Sequence, residues 1–376
     1  MNPTQHLRHQ IETIIRSAPL QKTPFFSLET LLGLLAPTYG GAVAARAFLY
    51  QKGMCSSKKL PCFVISIGNL AVGGTGKTPM TLLISRWVRN LGYKTVVISR
   101  GYRGRLEASG GVVSDGQCVL KTPSDAGDEP FLMAQQLAGI PVVVGKDRYQ
   151  AGLLAIRQFS PDVIVLDDGF QHLGLHRDLD LVLMDARHPV GNGNLMPRGP
   201  LREPVSALKR AHGIILTRCR ADFPEDDRLF CGKPLFKTSH HQVIRRVPSK
   251  AGERISSHTR PLSILKGKKV IAFSGLADND QFFNSLAVLG CKVASTFSFP
   301  DHHSYPLPDM DRIMAESRRH QVDHVVTTAK DAVKIDFPHT FPVDLVSVDV
   351  EIKLYEENRF RTFLQDRLPV LHKKIT

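Results

Sequence analysis

Apolar residues fall in short runs along this chain, and the runs alternate between two periods. CFVISIG (62–68) is continuous and β-rich, while TPMTLLISRWVRNLG (78–92) repeats its apolar positions at helical spacing before a closing glycine. KTVVISRG (94–101), IPVVVG, DVIVLDD (162–168), DLDLVLMDA (178–186) and HGIILTR (212–218) read as further strands. DEPFLMAQQLAG and RYQAGLLAIRQFS read as helices between them, and SGGVVSDGQCVL as a hairpin turning at Asp115-Gly116. Apolar strands alternating with helices predict an α/β fold, a mostly parallel sheet covered on both faces.

The pattern changes after residue 218. CRADFPEDDRLFCGKP is polar and turn-rich and reads as a connector. A second alternating unit follows: strand KKVIAFSG, helix NDQFFNSLAVLG, strand CKVASTFSF, helix LPDMDRIMAESRRH and a strand in DHVVTTAKD. VDLVSVDVEI and YEENRFRTFLQDRL supply a last strand and helix. The expected organisation is N-terminal helices over 1–60, a core over 61–220 and a second, smaller α/β domain over 221–376, whose last helix packs back on the core.

Residues 25–50, FFSLETLLGLLAPTYGGAVAARAFLY, carry only Glu29 and Arg46 as charges. The uncharged stretch is shorter than the roughly 20 residues of a spanning helix. Pro37 predicts a break into two short helices. Around it Arg8, Arg16, Lys22, Arg46, Lys52, Lys58 and Lys59 face Glu12 and Glu29, a balance of 7 − 2 = +5 over residues 1–60. Apolar helices flanked by cations suit the interface of an anionic bilayer, and packing on the core fits the same pattern.

Composition narrows the class without choosing a function. The 376 residues are 42% apolar and 22% charged, ordinary for a globular protein and unlike a disordered or fibrous one. Lys plus Arg is 49 against 35 acids, a formal charge of +14 that suits a nucleotide, a nucleic acid or an anionic membrane surface. The six cysteines, at 55, 62, 118, 219, 231 and 291, show no zinc-knuckle spacing and fit a reducing compartment. The opening MNPTQHLRHQIETIIR lacks the unbroken apolar core of a signal peptide.

The sharpest chemistry sits at 68–78, GNLAVGGTGKT, with a strand leading in and a helix leading out, the context of a phosphate-binding loop. Gly73, Gly74 and Gly76, with Thr75 among them, let backbone amides turn toward oxyanions. Lys77 would meet the β- and γ-phosphates of a nucleotide, and Thr78 would hold Mg²⁺. The usual pattern has glycine where Ala71 stands, which is compatible with the loop if φ there is negative. Asp167 and Asp168 end an apolar strand at the sheet crevice, where a metal-organising acid belongs. Two adjacent acids repel unless cations neutralise them, which argues for magnesium. Gln171 and His172 follow them.

Asp128 and Glu129 open a helix, where capping alone explains acids; Asp128 becomes a base candidate only if an acceptor hydroxyl lies beside it. The Gly/Pro-rich basic segment 187–212, with Arg198, Arg202, Lys209 and Arg210 against Glu203, reads either as a substrate clamp or as a surface crossover. In PDHHSY (300–305), His302 and His303 have no partners at metal-ligand spacing; hydrogen bonding is favoured, with His302 able to orient a carboxylate. A regulatory GTPase would need an Asn-Lys-x-Asp motif, which is absent: AKDA at 329–332 has Lys and Asp adjacent. A nucleic-acid module would need a zinc finger, an RRM signature or a basic recognition helix, none of which the chain shows.

Taken together and in order, GNLAVGGTGKTP, SRGYRG, AGDEPFLMA, VVVGKDRYQA, VLDDGFQH, RDLDLVLMDA, PRGPLREP, PDHHSY and AKDAVK resemble the tetraacyldisaccharide 4'-kinases, the lipid A 4'-kinases of Gram-negative bacteria. That family's phosphate loop also lacks the first glycine. The resemblance implies a P-loop kinase core with a smaller α/β domain, the active site lying in the cleft between them. It implies transfer of the γ-phosphoryl of ATP to the 4'-hydroxyl of a lipid A disaccharide 1-phosphate. It also implies a peripheral enzyme on the cytoplasmic face of the inner membrane, touching the anionic surface through its N-terminal helices. No nucleic acid and no obligate protein partner are expected. Carried onto this sequence, it makes Lys77 and Thr78 ligands of triphosphate and magnesium, and Asp128 the general base. His302 (or His303) assists Asp128 from across the cleft. Asp168 and Glu203, with Asp167 beside them, become metal-linked acids. Arg100, Glu129, His172 and Arg202 line the substrate site. Arg198 stands where a smaller residue is expected.

Overall fold

A computed structural model describes residues 14–15, 27–223, 229–230, 232–247, 259–276, 278–335 and 343–370. Arg8, Glu12, Arg16 and Lys22, counted above in the basic N-terminal stretch, and Cys231 lie outside the described residues. The first long element is a helix, α1 (Leu28–Gln51), capped by the Ser27 side chain, which accepts from Thr30 N. It runs through Pro37 without a break, so the expected pair of short helices is a single one. A proline inside a helix removes one backbone bond, but fixed φ near −65° is helical, and neighbouring turns carry the axis across. Only Leu32 and Ala36 of this helix are buried.

The strands β1 (Phe63–Asn69), β2 (Thr95–Ser99), β4 (Val142–Val144), β5 (Val163–Asp167), β6 (Leu179–Asp185) and β7 (Gly213–Thr217) form the parallel centre. Their side chains are almost all buried, as expected of strands with helices on both faces. Those helices include α2 (Lys77–Asn90), α4 (Asp128–Gln136), which follows the single turn α3 (Pro123–Ala126), and α5 (Arg148–Phe159). The short strand β3 (Gly111–Ser114) closes one edge antiparallel to β4. The expected turn after it forms around Asp115, whose Oδ1 accepts from Gln117 N at 2.8 Å and Cys118 N at 2.6 Å.

The second set comprises β8 (Leu235–Arg246), the two-residue β9 (Arg260–Pro261), β10 (Lys269–Ser274), β11 (Lys292–Ser298), β12 (His324–Thr328) and β13 (Asp344–Leu354). The helices α6 (Asn279–Val288), α7 (Leu307–His320), α8 (Ala329–Ala332) and α9 (Glu357–Gln365) accompany them. All strands join one sheet in the order β11-β10-β12-β13-β8-β7-β6-β1-β5-β2-β4-β3, with β9 on β8. The strand β8 links the two sets. Leu235–Lys237 run parallel to β7, and Thr238–Arg246 pair antiparallel with β13. The last helix packs back on the core: Phe360 and Phe363 meet Phe236, Phe360 also meets Trp87, and Arg361 lies over the Trp87 ring.

Candidate active site

The phosphate loop leaves β1 at Asn69 and enters α2 at Lys77. Gly73 and Gly76 take positive φ, 119° and 89°, a region that favours glycine, whereas Ala71 stays on the negative side as its methyl requires. Gly76 has a second constraint: a Cβ there would lie 2.8 Å from His240 Nε2. Asn69 Nδ2 donates to Thr75 Oγ1 at 3.0 Å and steadies the loop from below. From the β7 end, Arg218 donates to the Gly74 carbonyl at 2.7 Å while pairing with Asp185 at 2.7 Å.

The two acids at the end of β5 have different surroundings. Asp167 is buried and accepts from Thr81 Oγ1 and Ser99 Oγ, each at 3.2 Å. Burial, with Glu129 and Asp168 nearby, pushes its carboxyl up to about 6. Asp168 turns out of the strand with φ 55°. It lies 3.7 Å from Lys77 Nζ and accepts from Arg202 Nη1 at 2.9 Å. Burial works to raise this carboxyl, but the Lys77 and Arg202 charges outweigh it and hold it below the usual carboxylate range. Arg148, almost fully buried beside the pair, is drawn down to about 10 by that burial. Glu203 is buried too, with Oε2 accepting from Arg210 at 2.7 Å. His172 is pushed down to about 4 by burial and by the Arg148 charge, so it is neutral at pH 7.

Asp128 does not cap its own helix. Gly127 takes the cap position with φ 87°, and a Cβ there would lie 2.7 Å from the Tyr102 carbonyl. This lets the start of α4 press against the loop after β2. The Asp128 carboxylate is free to reach across the molecule: Oδ2 accepts from His302 Nδ1 at 2.8 Å and lies 3.6 Å from Lys334 Nζ. Burial would raise its pKa, but the His302 hydrogen bond and the Lys334 and Lys330 charges leave it lowered. The neighbouring histidine points elsewhere. His303 bonds Asp309 at 2.6 Å and stacks on Phe299. Glu129 pairs with Lys330, and both it and Lys77 lie close enough to act on one another, so α4, the phosphate loop and α8 face one crevice. Arg100 lies at its rim, bonded to Glu107 at 2.7 Å and beside the Tyr102 ring, which itself meets His302 edge-on.

The residues proposed from sequence thus gather in two groups, Lys77–Asp168–Arg202 and Asp128–His302, with Glu129 between. Glu203 is instead bonded to Arg210. Sequence reading gave no role to Arg148, Arg218, His240, Lys330 or Lys334. Arg148 and the two lysines stand inside motifs quoted above, VVVGKDRYQA and AKDAVK, which was the available signal. Arg218 and His240 carried none: Arg218 follows the end of β7 and His240 sits within β8, both far in sequence from the loop they touch.

Residues 28–369 match the tetraacyldisaccharide-1-P 4'-kinase family. A tetraacyldisaccharide 4'-kinase of Desulfatibacillum aliphaticivorans is 40% identical over 97% of this chain and 99% of its own length. One from Geobacter metallireducens is 45% identical over 81% of this chain and 88% of its own. The crystal structure of LpxK from Aquifex aeolicus, in complex with ATP, superposes with a TM-score of 0.75 at 33% identity, covering 91% of this chain and all of that one.

Proposed function

The chain belongs to the tetraacyldisaccharide-1-P 4'-kinase family, and on that premise we propose how its residues divide the work. It is an ATP-dependent kinase that phosphorylates the 4'-hydroxyl of tetraacyldisaccharide 1-phosphate, a step in lipid A formation.

ATP lies with its phosphates in the loop Gly73–Thr78, where backbone amides, the start of α2 and the Lys77 ammonium meet negative charge. The acids fit a magnesium ion. Asp168 offers hard oxygens beside the loop, already held toward positive charge by Lys77 and Arg202, and Thr78 stands at the start of α2. Mg²⁺ takes one or two carboxylates plus substrate phosphates and water, which matches so sparse a set. Thr78 and Asp168 would hold it, backed by Asp167 and Glu203, and when bound it neutralises charge on the transferring phosphoryl group.

Asp128 is the general base. Its lowered pKa keeps it ionised at neutral pH, and the hydrogen bond from His302 fixes the carboxylate through Oδ2, which leaves Oδ1 to take the proton of an acceptor hydroxyl. His302 is a positioning residue for it. Arg202, Arg100, Glu129 and neutral His172 border the crevice, where the cations suit the 1-phosphate of the acceptor. The exposed apolar side of α1, with Leu31, Leu34, Leu35 and Phe48, rests on an anionic bilayer that also holds the acyl chains.

The observation that carries this mechanism is the 2.8 Å bond between Asp128 and His302, formed 174 residues apart and beside the phosphate loop. Transfer of labelled γ-phosphate to the disaccharide 1-phosphate in detergent tests it. Asp128→Asn should lower kcat by about 10²–10⁴ with ATP binding retained. Loss of ATP binding alone would remove the base role.

A further inference from the structure

The helix α1 has two unlike sides. At about 100° per residue, Glu29, Leu32, Ala36, Tyr39, Gly40 and Arg46 fall within ~120° of its circumference. Leu31, Leu34 and Phe48 occupy the opposite side and are exposed, with exposed Leu35 at the border beside Arg46. The inward side has little apolar packing, since only Leu32 and Ala36 are buried. Polar tethers do most of the joining. Glu29 pairs with Arg198. The Tyr39 hydroxyl donates to the Arg202 carbonyl at 3.0 Å. Arg46 donates to the Gln171 carbonyl at 3.2 Å.

Two of these tethers, those of Tyr39 and Arg46, end on the residues that surround Asp168. Arg202 donates Nη1 to both Asp168 oxygens at 2.9 Å and reaches Gln171 Oε1 at 3.4 Å. Gln171 in turn donates to the Asn69 carbonyl at 2.9 Å, where β1 gives way to the loop. Arg202 N donates to the Leu70 carbonyl at 2.7 Å. The backbone that Tyr39 holds is therefore the backbone that aims the Arg202 guanidinium at Asp168. Burial, then the Glu203 charge, raises the Tyr39 pKa, so its hydroxyl keeps the proton it donates.

We propose that Tyr39 is a positioning residue for phosphoryl transfer: through Arg202 it sets Asp168, so that seating α1 on a lipid surface and seating Asp168 at the phosphate loop are one event. This rests on the kinase reading of the site given above. A lipid surface that takes up the outward side of α1 presses its inward side onto 168–172 and 198–202. Detergent-dispersed substrate supplies no such plane. The wild-type enzyme then turns over faster on acceptor embedded in a bilayer than on the same acceptor in detergent.

The test compares kcat for the full chain with acceptor in phosphatidylethanolamine–phosphatidylglycerol vesicles and in detergent micelles, alongside sedimentation with the vesicles. We expect wild-type kcat to be several-fold higher in vesicles. Tyr39→Phe should lose that gain, with KM for ATP and vesicle sedimentation within about twofold of wild type. Glu29→Arg combined with Arg198→Glu should keep it, since the pair is preserved in reverse. The proposal is overturned if wild type shows no gain, if Tyr39→Phe retains it, or if its turnover and sedimentation fall in the same proportion, which is what a mere anchor would give. Lys77→Ala, inactive in both settings, is the control. Turnover by that variant would sink the phosphate-loop reading instead.

Discussion

At the scale of single residues, the site works by giving like groups unlike surroundings. Asp167 and Asp168 are adjacent, yet one is sealed under hydroxyls and the other is drawn out by Lys77 and Arg202. The sealed acid has a cost that can be measured. Its folded pKa, about 6, lies above the roughly 3.9 of an unfolded Asp, so folding favours its protonated form. Native stability from this group is thus fullest below about pH 4 and is lost as pH rises through about 6. Asp167→Asn removes that loss. The variant should be more stable than wild type by about 1–3 kcal/mol at pH 8, with the difference shrinking below pH 6 and vanishing near pH 4. Urea denaturation at the three pH values reads this directly, and a pH-independent difference would contradict the burial argument. The identity of both acids was legible in VLDDGFQH, because an apolar strand ending in acids marks the crevice. Their opposite environments were not, since Thr81, Ser99 and Arg202 come from three other segments. The choice between His302 and His303 likewise needed coordinates: two adjacent imidazoles look alike in sequence, and only the backbone turn at His302, φ 67°, sends one to Asp128 and leaves the other to Asp309.

At the scale of elements, most of the order was readable; the exceptions were β8, since no strand was read over 235–246, and α1. Buried strands announced themselves as apolar runs, and the helices by spacing and closing glycines. Pro37 misled because the penalty it imposes falls on one backbone bond, whereas 24 residues of helix supply the rest. The result is a long helix whose outer side carries Leu34 at 70% exposure and Phe48 at 52%. Length and hydropathy alone would let it cross a membrane, yet its inner side is tied by ion pair and hydrogen bonds to the kinase core. Such a helix suits lying along an interface. Leu34→Asp should weaken sedimentation with anionic vesicles about tenfold, while the melting temperature, read by circular dichroism, stays put because the side chain packs on nothing that folding buries. A matching fall in melting temperature would mean that this side is part of the core.

At the scale of the whole molecule, the sequence suggested two alternating units and a connector, and in the structure a single sheet runs through both. The join was hidden because β8 has two kinds of neighbour: its first residues extend the parallel ladder, and the rest start an antiparallel one. No local pattern reports that change. The return of α9 onto Trp87 and Phe236 adds a second seam far from the first in sequence. With two seams and the Asp128–His302 and Glu129–Lys330 contacts between the halves, calorimetry should record one unfolding transition. Two resolved transitions would show that the seams are weaker than either half. The shared strand has a mechanical side as well. Its ladders to the two halves meet end to end, β7 bonding it as far as Lys237 and β13 from Thr238 onward. Any shift of one half against the other would turn on that change of neighbour, and because His240 lies against Gly76 just beyond it, such a shift would be felt at the nucleotide cradle as well.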